Sequence, residues 1–161
     1  MYNLLFDADA VIKLTYSGTL PRICRDYNCV MTEEVKRETV DEGKRRFYPD
    51  AEIIEELINT GFIKIKNPKN SGEEVPGLES GELSVLALWK ENPDFLIVSD
   101  DQAFLKELQR QEIDFVVPAD LLLLLTRAKK INKIEARKDL EKLRTFIREE
   151  DYHRVNQELG G

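Results

Sequence analysis

Four acidic residues of this 161-residue chain fall at or just after the ends of short apolar runs that read as strands: Asp7, Glu38, Glu82 and Asp101, with Asp9, Glu79 and Asp100 beside them. Two carboxylates about 4 Å apart repel by roughly 4 kcal/mol at an effective dielectric near 20, so a gathering of them calls for a cation. Hard divalent ions prefer carboxylate and water oxygens, and Mg²⁺ takes only one or two carboxylates directly while keeping water molecules. Such ions can hold a phosphodiester, acidify an attacking water and stabilise the leaving oxygen. The predicted chemistry is phosphodiester hydrolysis with Mg²⁺ or Mn²⁺, without a covalent nucleophile. The single histidine, His153, lies in a charged C-terminal stretch and reads as a surface residue.

The elements that must position these acids follow from the apolar pattern. Leu4-Leu5-Phe6 reads as a buried strand that delivers Asp7 at its carboxyl end. Val11, Ile12, Leu14 and Tyr16 give the next helix an apolar face, ended by Ser17-Gly18. Cys29-Val30-Met31 is a second strand, followed by a helix that Thr32 caps and that carries Glu33 to Glu38. Pro49 to Asn59 is predicted helical with Ile53, Ile54, Leu57 and Ile58 inward, and Phe62 to Lys66 is an alternating strand. Asn67 to Gly77 is loop, the segment most prone to motion.

A helix from Glu79 carries Leu83, Leu86, Ala87 and Trp89 until Asn92-Pro93 breaks it, and Phe95 to Val98 is a core strand. Ser99-Asp100-Asp101 opens a helix with Phe104, Leu105 and Leu108 inward; Asp114 to Val117 is a strand, and Pro118 starts a helix holding Leu121 to Leu125. Alternating strands and helices predict the α/β class: a three-layer α/β/α sandwich with a central, mainly parallel twisted sheet. The ligand site of such a sheet lies outside the carboxyl ends of its strands. Asp7 and Asp101 then come from the sheet rim, and Glu38 and Glu82 from helices facing it.

The length suits one domain over residues 1–161, with 134–161 a helical C-terminal extension. A hydrophobic fraction of 42% beside a charged fraction of 34% describes a globular protein with a charged exterior. No apolar run approaches the ~20 residues of a membrane span, and the N-terminus lacks the order of a signal peptide, so a cytoplasmic protein is expected. Cys24 and Cys29 lack the companions of a zinc site and read as buried free thiols. The net charge of −7 argues against a nonspecific nucleic-acid coat. Local basic runs remain: Lys36, Arg37, Lys44, Arg45 and Arg46, and Arg127, Lys129, Lys130 and Lys133, each able to guide RNA phosphates or simply to be a solvated face. The Leu121 to Leu125 helix is expected to be core or a dimer contact, since a helix apolar all round must be covered all round.

These residues carry a family resemblance. LLFDADAVIKL, from Leu4 to Leu14, resembles the opening strand and helix of PIN domains, and VMTEEVKRE, ending at Glu38, resembles their second acidic element. LESGELSVLAL, from Leu78 to Leu88, is similar to the GE-containing helix of one PIN subgroup, and IVSDDQAF, from Ile97 to Phe104, to the Ser/Thr-x-Asp-x-x-Phe turn. The likeness covers about the first 130 residues in order, and the tail LEKLRTFIREEDYHRVNQEL is similar to the extension of VapC-like PIN proteins. It implies a Mg²⁺- or Mn²⁺-dependent endoribonuclease, often the toxin of a type II toxin–antitoxin pair, with RNA as substrate, an antitoxin as partner and a homodimer as the assembly. Asp7, Glu38, Glu82 and Asp101 take the four metal positions, Ser99 the supporting hydroxyl position, and Asp9 and Asp100 are further candidate ligands. Two features depart from the family pattern: the third acid, commonly Asp, is Glu82, and the small polar position after the first Asp is Asp9.

Two other readings stay open. FDADAV also fits the hhhDxDx(T/V) motif of haloacid-dehalogenase-type phosphatases, in which Asp7 would attack phosphorus and Asp9 act as acid and base. That reading leaves Glu38 and Glu82 without a role. The other is a noncatalytic PIN-fold binding module.

Overall fold

The computed structural model of the chain describes residues 2–46 and 48–161. Five strands, β1 (Asn3–Phe6), β2 (Asn28–Met31), β3 (Ile63–Ile65), β4 (Leu96–Val98) and β5 (Phe115–Val116), form one sheet in the order β3-β2-β1-β4-β5. Every pairing is parallel. Short runs such as Leu4-Leu5-Phe6 and Ile97-Val98 are wholly buried, as strands covered by helices on both faces must be. From β1 the chain winds outward through β2 and β3, then returns to lay β4 against the opposite edge of β1. The reversal opens a crevice at the carboxyl ends of β1 and β4, where open parallel sheets hold ligands.

The helices are α1 (Ala8–Tyr16), α2 (Leu20–Asp26), α3 (Glu33–Lys36), α4 (Glu42–Arg45), α5 (Asp50–Asn59), α6 (Ser80–Glu91), α7 (Gln102–Arg110), α8 (Pro118–Arg127), α9 (Lys133–Leu143) and α10 (Glu149–Glu158). The architecture is the α/β/α sandwich expected of the sequence. Helix α2 escaped the sequence reading: its seven residues include two arginines and a proline at its start, too short and polar for a visible stripe. The helix that carries Glu38 runs on through a π-helical turn, Arg37–Asp41, into α4. Ile12 and Ile53, expected inward, are 42% and 43% exposed. The buried stripe of α1 is Ala10, Val11, Leu14 and Thr15, and that of α5 is Ala51, Ile54 and Leu57, which puts each isoleucine off the packed face.

Leu121, Leu122, Leu123 and Leu125 of α8 are buried within the chain, and α8 packs against α1, α9 and α10. These four leucines are therefore core, while Leu124 is partly buried against it. Asp139 of α9, 3% exposed, accepts from Thr19 Oγ1 and Arg22 Nη2, both at 2.8 Å, and so pins the C-terminal helices to the α1–α2 corner. Cys24 and Cys29 are buried and free. Among the described residues no helix is long and apolar enough to cross a membrane.

Candidate functional site

Asp7 follows β1 directly, its backbone N–H still donating to Val98 of β4 at 3.1 Å. Its extended backbone makes it the N-cap of α1: Oδ1 accepts from the Ala10 N–H at 2.9 Å, and Oδ2 accepts from the Ser99 hydroxyl. The residue is 2% exposed, and burial pushes its carboxyl up to about 7 against the pull of those two hydrogen bonds, with Asp9 and Asp101 adding repulsion. Ser99 closes β4 and is itself fully buried; its oxygen also accepts from the Asp101 N–H at 3.2 Å. One hydroxyl thus ties the ends of β1 and β4 together. Asp101 repeats the device as N-cap of α7, accepting from the Phe104 N–H at 3.0 Å.

Glu82 comes from the first turn of α6. A capping box fixes that turn: the Glu79 side chain accepts from the Glu82 N–H, and Glu82 Oε1 accepts from the Glu79 N–H at 3.1 Å. Partial burial raises the Glu82 carboxyl to about 8, with Asp101 in hydrogen-bonding reach and Asp7 adding repulsion. Asp7, Glu82 and Asp101 therefore share one electrostatic neighbourhood at the crevice between β1 and β4.

Glu38 stands to one side. It rides on the π turn, a deviation from α geometry often found where side chains must be re-aimed. Its Oε1 accepts from the Gly81 N–H at 3.0 Å, one residue before Glu82. A Cβ at Gly81 would come within 2.6 Å of that oxygen, so glycine makes the approach possible. Burial raises the Glu38 carboxyl, and the charges acting on it are Glu79, Arg37 and Glu34 rather than Asp7 or Asp101. The N-terminus of α6, positive by its dipole, thus receives Glu38, Glu79 and Glu82 together. Thr32, N-cap of α3, and Ser84 of α6 lie 2.6 Å apart through their hydroxyls and lock the end of β2 to this helix.

None of these four acids is ion-paired to a lysine or arginine among the described residues. The contrast is Asp9 and Asp100, the two further candidate ligands. Both instead face Lys13, with Nζ at 3.0 Å from Asp9 and 2.8 Å from Asp100. Burial opposes the charge of that lysine, but the two carboxylates outweigh burial and hold its ammonium above the usual range. The sequence signal for this pairing was the four-residue spacing of Asp9 and Lys13 on a helix.

Among the described residues no three acidic, histidine or cysteine side chains converge closely enough to hold an ion as they stand. Asp7, Glu38, Glu82 and Asp101 each rest on a backbone N–H. In kind, however, the donors fit a hard divalent cation: oxygens only, with Asp7, Glu82 and Asp101 at one crevice and Glu38 beside it, none of them ion-paired to a lysine or arginine among the described residues.

Most of the basic runs are engaged with carboxylates. Lys36 pairs with Glu33, Arg37 with Glu34 and Glu42, Lys44 with Glu55, Arg127 with Glu158 and Lys130 with Asp26. Arg46 has no such partner among the described residues. It lines a cavity of about 170 Å³ with Glu38, Glu42, Tyr48 and Asp50, so a cation lies at the edge of the acidic site.

A protein-family model described as a PIN domain matches residues 3–160, through both C-terminal helices. No curated protein and no solved structure matches the chain. The match spans nearly the whole sequence, and the chain belongs to the PIN domain family. PIN domains are typically nucleases, and those nucleases generally use divalent metal ions.

Proposed function

We propose that this PIN-domain protein is a metal-dependent endoribonuclease that hydrolyses RNA phosphodiesters at the crevice between β1 and β4. One observation carries the reading: Asp7, Glu82 and Asp101 act on one another electrostatically at the point where the strand order reverses, and no lysine or arginine among the described residues is ion-paired to them. A buried carboxylate without a cation is costly, and Asp7 is 2% exposed. The family membership adds the nuclease chemistry; the phosphatase reading, by contrast, needs a free acid and base at Asp9, which Lys13 holds.

Asp7, Glu82 and Asp101, with Glu38 beside them, are the residues that would hold Mg²⁺ or Mn²⁺. When bound, the ion supplies charge to a phosphodiester and lowers the pKa of a water molecule. The chain supplies the rest. Ser99 and the Ala10 N–H fix both oxygens of Asp7, leaving that carboxylate little freedom to turn. The Phe104 N–H orients Asp101, and the Gly81 N–H holds Glu38 against the helix that carries Glu82. Arg46, beyond Glu38, is placed to meet a backbone phosphate.

The finer reading is a VapC-like toxin with an antitoxin partner, active as a homodimer. It rests on the resemblance of the motifs and of the C-terminal segment. Dimerisation would use a face other than the four buried leucines of α8. Sedimentation at micromolar concentration is expected to give a dimer.

The deciding experiment is incubation of the purified chain with a panel of single-stranded RNAs. Cleavage that requires Mg²⁺ or Mn²⁺ and stops on chelation is expected. Metal binding without cleavage of any RNA would replace the nuclease by a binding module.

A further inference from the structure

Lys13 has no part in the proposed hydrolysis, yet it is a partly buried cation bridging α1 and the end of β4. Its side chain is 16% exposed, so the ammonium has not extended to water as a flexible lysine usually does. It lies 2.8 Å from Asp100 Oδ2 and 3.0 Å from Asp9 Oδ2. Asp100 is 6% exposed, and its buried Oδ1 accepts no hydrogen bond among the described residues, whereas Asp9, its side chain 39% exposed, spends Oδ2 on the ammonium. Buried carboxylate oxygens are normally satisfied, so the bare Oδ1 of Asp100 signals more acceptor capacity beside this cation than the ammonium uses.

The two acids come from the elements that build the main site. Asp9 is two residues after Asp7 in the first turn of α1, and Asp100 lies between Ser99 and Asp101 at the end of β4. We propose that Asp9 and Asp100 form a second cation site in which the Lys13 ammonium stands where a divalent metal ion would otherwise bind. An ammonium brings one charge and three donors, whereas Mg²⁺ or Mn²⁺ brings two charges and draws on oxygen ligands alone. Lys13 therefore limits how many divalent ions the chain takes and keeps Asp9 and Asp100 from drawing a metal away from Asp7. That consequence for cleavage rests on the metal-dependent reading above; the cation site itself rests on the geometry around Lys13.

The test counts Mn²⁺ bound per full-length chain, by calorimetric titration and by electron paramagnetic resonance. Lys13→Met is expected to bind one more Mn²⁺ than the wild type, Lys13→Arg the same number as the wild type, and Lys13→Met/Asp100→Asn to return to it. A folded Lys13→Met chain with the wild-type count would overturn the proposal. If Lys13→Met is unfolded in metal-free buffer, refolding on addition of one further Mn²⁺, followed by circular dichroism, supports the site, and failure of Mn²⁺ to refold it counts against it. A wild type that binds no Mn²⁺ would sink the proposed main site, while the difference between the variant and the wild type still decides this one.

Discussion

Asp100 and Asp101 are neighbours at the end of β4, yet they serve opposite ends. Asp101 caps α7 and lies in hydrogen-bonding reach of Glu82, with no lysine or arginine paired to it among the described residues; Asp100 turns to α1 and is neutralised by Lys13. Extended backbone sends adjacent side chains to opposite sides, so one strand end serves both places. The difference teaches how to tell acids that finish a fold from acids that wait on something else. The first kind brings its own counter-charge from the chain. The second kind is held in place by hydroxyls and backbone N–H groups, which orient a carboxylate without cancelling its charge.

The largest effect should come from breaking the uncompensated side of that contrast. Asp7→Asn is expected to lower RNA cleavage by about 10³-fold, the rate equivalent of roughly 4 kcal/mol of lost charge stabilisation, read from single-turnover kinetics. A variant that cleaves within a few-fold of the wild type would remove Asp7 from the chemistry.

Next in size is a dependence of stability on pH. The folded-state carboxyl of Asp7 is raised to about 7, above its unfolded value of 3.8. The stability it contributes is therefore complete below about pH 4 and is lost as pH rises through 7. Metal-free protein should lose roughly 3 kcal/mol between pH 5 and pH 8 from this residue, with Glu82 acting in the same direction. Urea denaturation should show the decline, Asp7→Asn should flatten it, and Mg²⁺ or Mn²⁺ at pH 8 should reverse it. Stability that climbs with pH over that interval would mean that the acids are already compensated.

Ser99→Ala tests whether orientation matters as much as charge. Loss of the hydroxyl that joins Asp7 to the Asp101 backbone is expected to weaken Mn²⁺ binding about 10- to 100-fold in calorimetry, the usual cost of removing a group that orients a metal ligand. The smallest effect belongs to Gly81→Ala. The atoms nearest the added methyl are the carboxylate of Glu38, the far end of a flexible side chain, so cleavage should fall several-fold while the melting temperature stays within a few degrees. Full activity in that variant would place Glu38 outside the site.

The sequence made β1, β2 and β4 legible because each is an apolar run stopped by a polar capping residue, a pattern local enough to read without neighbours. Asp7 and Asp101 were legible for the same reason. Helix α2 was hidden by its shortness. The service of Lys13 was hidden because half of it is a contact across 87 residues, to Asp100. The seat of Glu38 depends on Gly81, 43 residues on, and on a turn whose geometry no pattern of apolar residues announces. What local pattern supplied was the list of acids; what it could not supply was which of them the chain neutralises.

The π turn from Arg37 to Asp41 is in effect a change of phase. It admits about one residue more than the α-helix around it, which turns everything downstream by roughly 100°. Deleting one residue from it would leave a smoother helix and an intact composition. Either Glu38 or the close approach of Gly43 to Ala51 would then face the wrong way. The aim of that glutamate is thus stored in a count of residues rather than in any contact of its own, and a length change there would act as a point mutation at a residue left untouched.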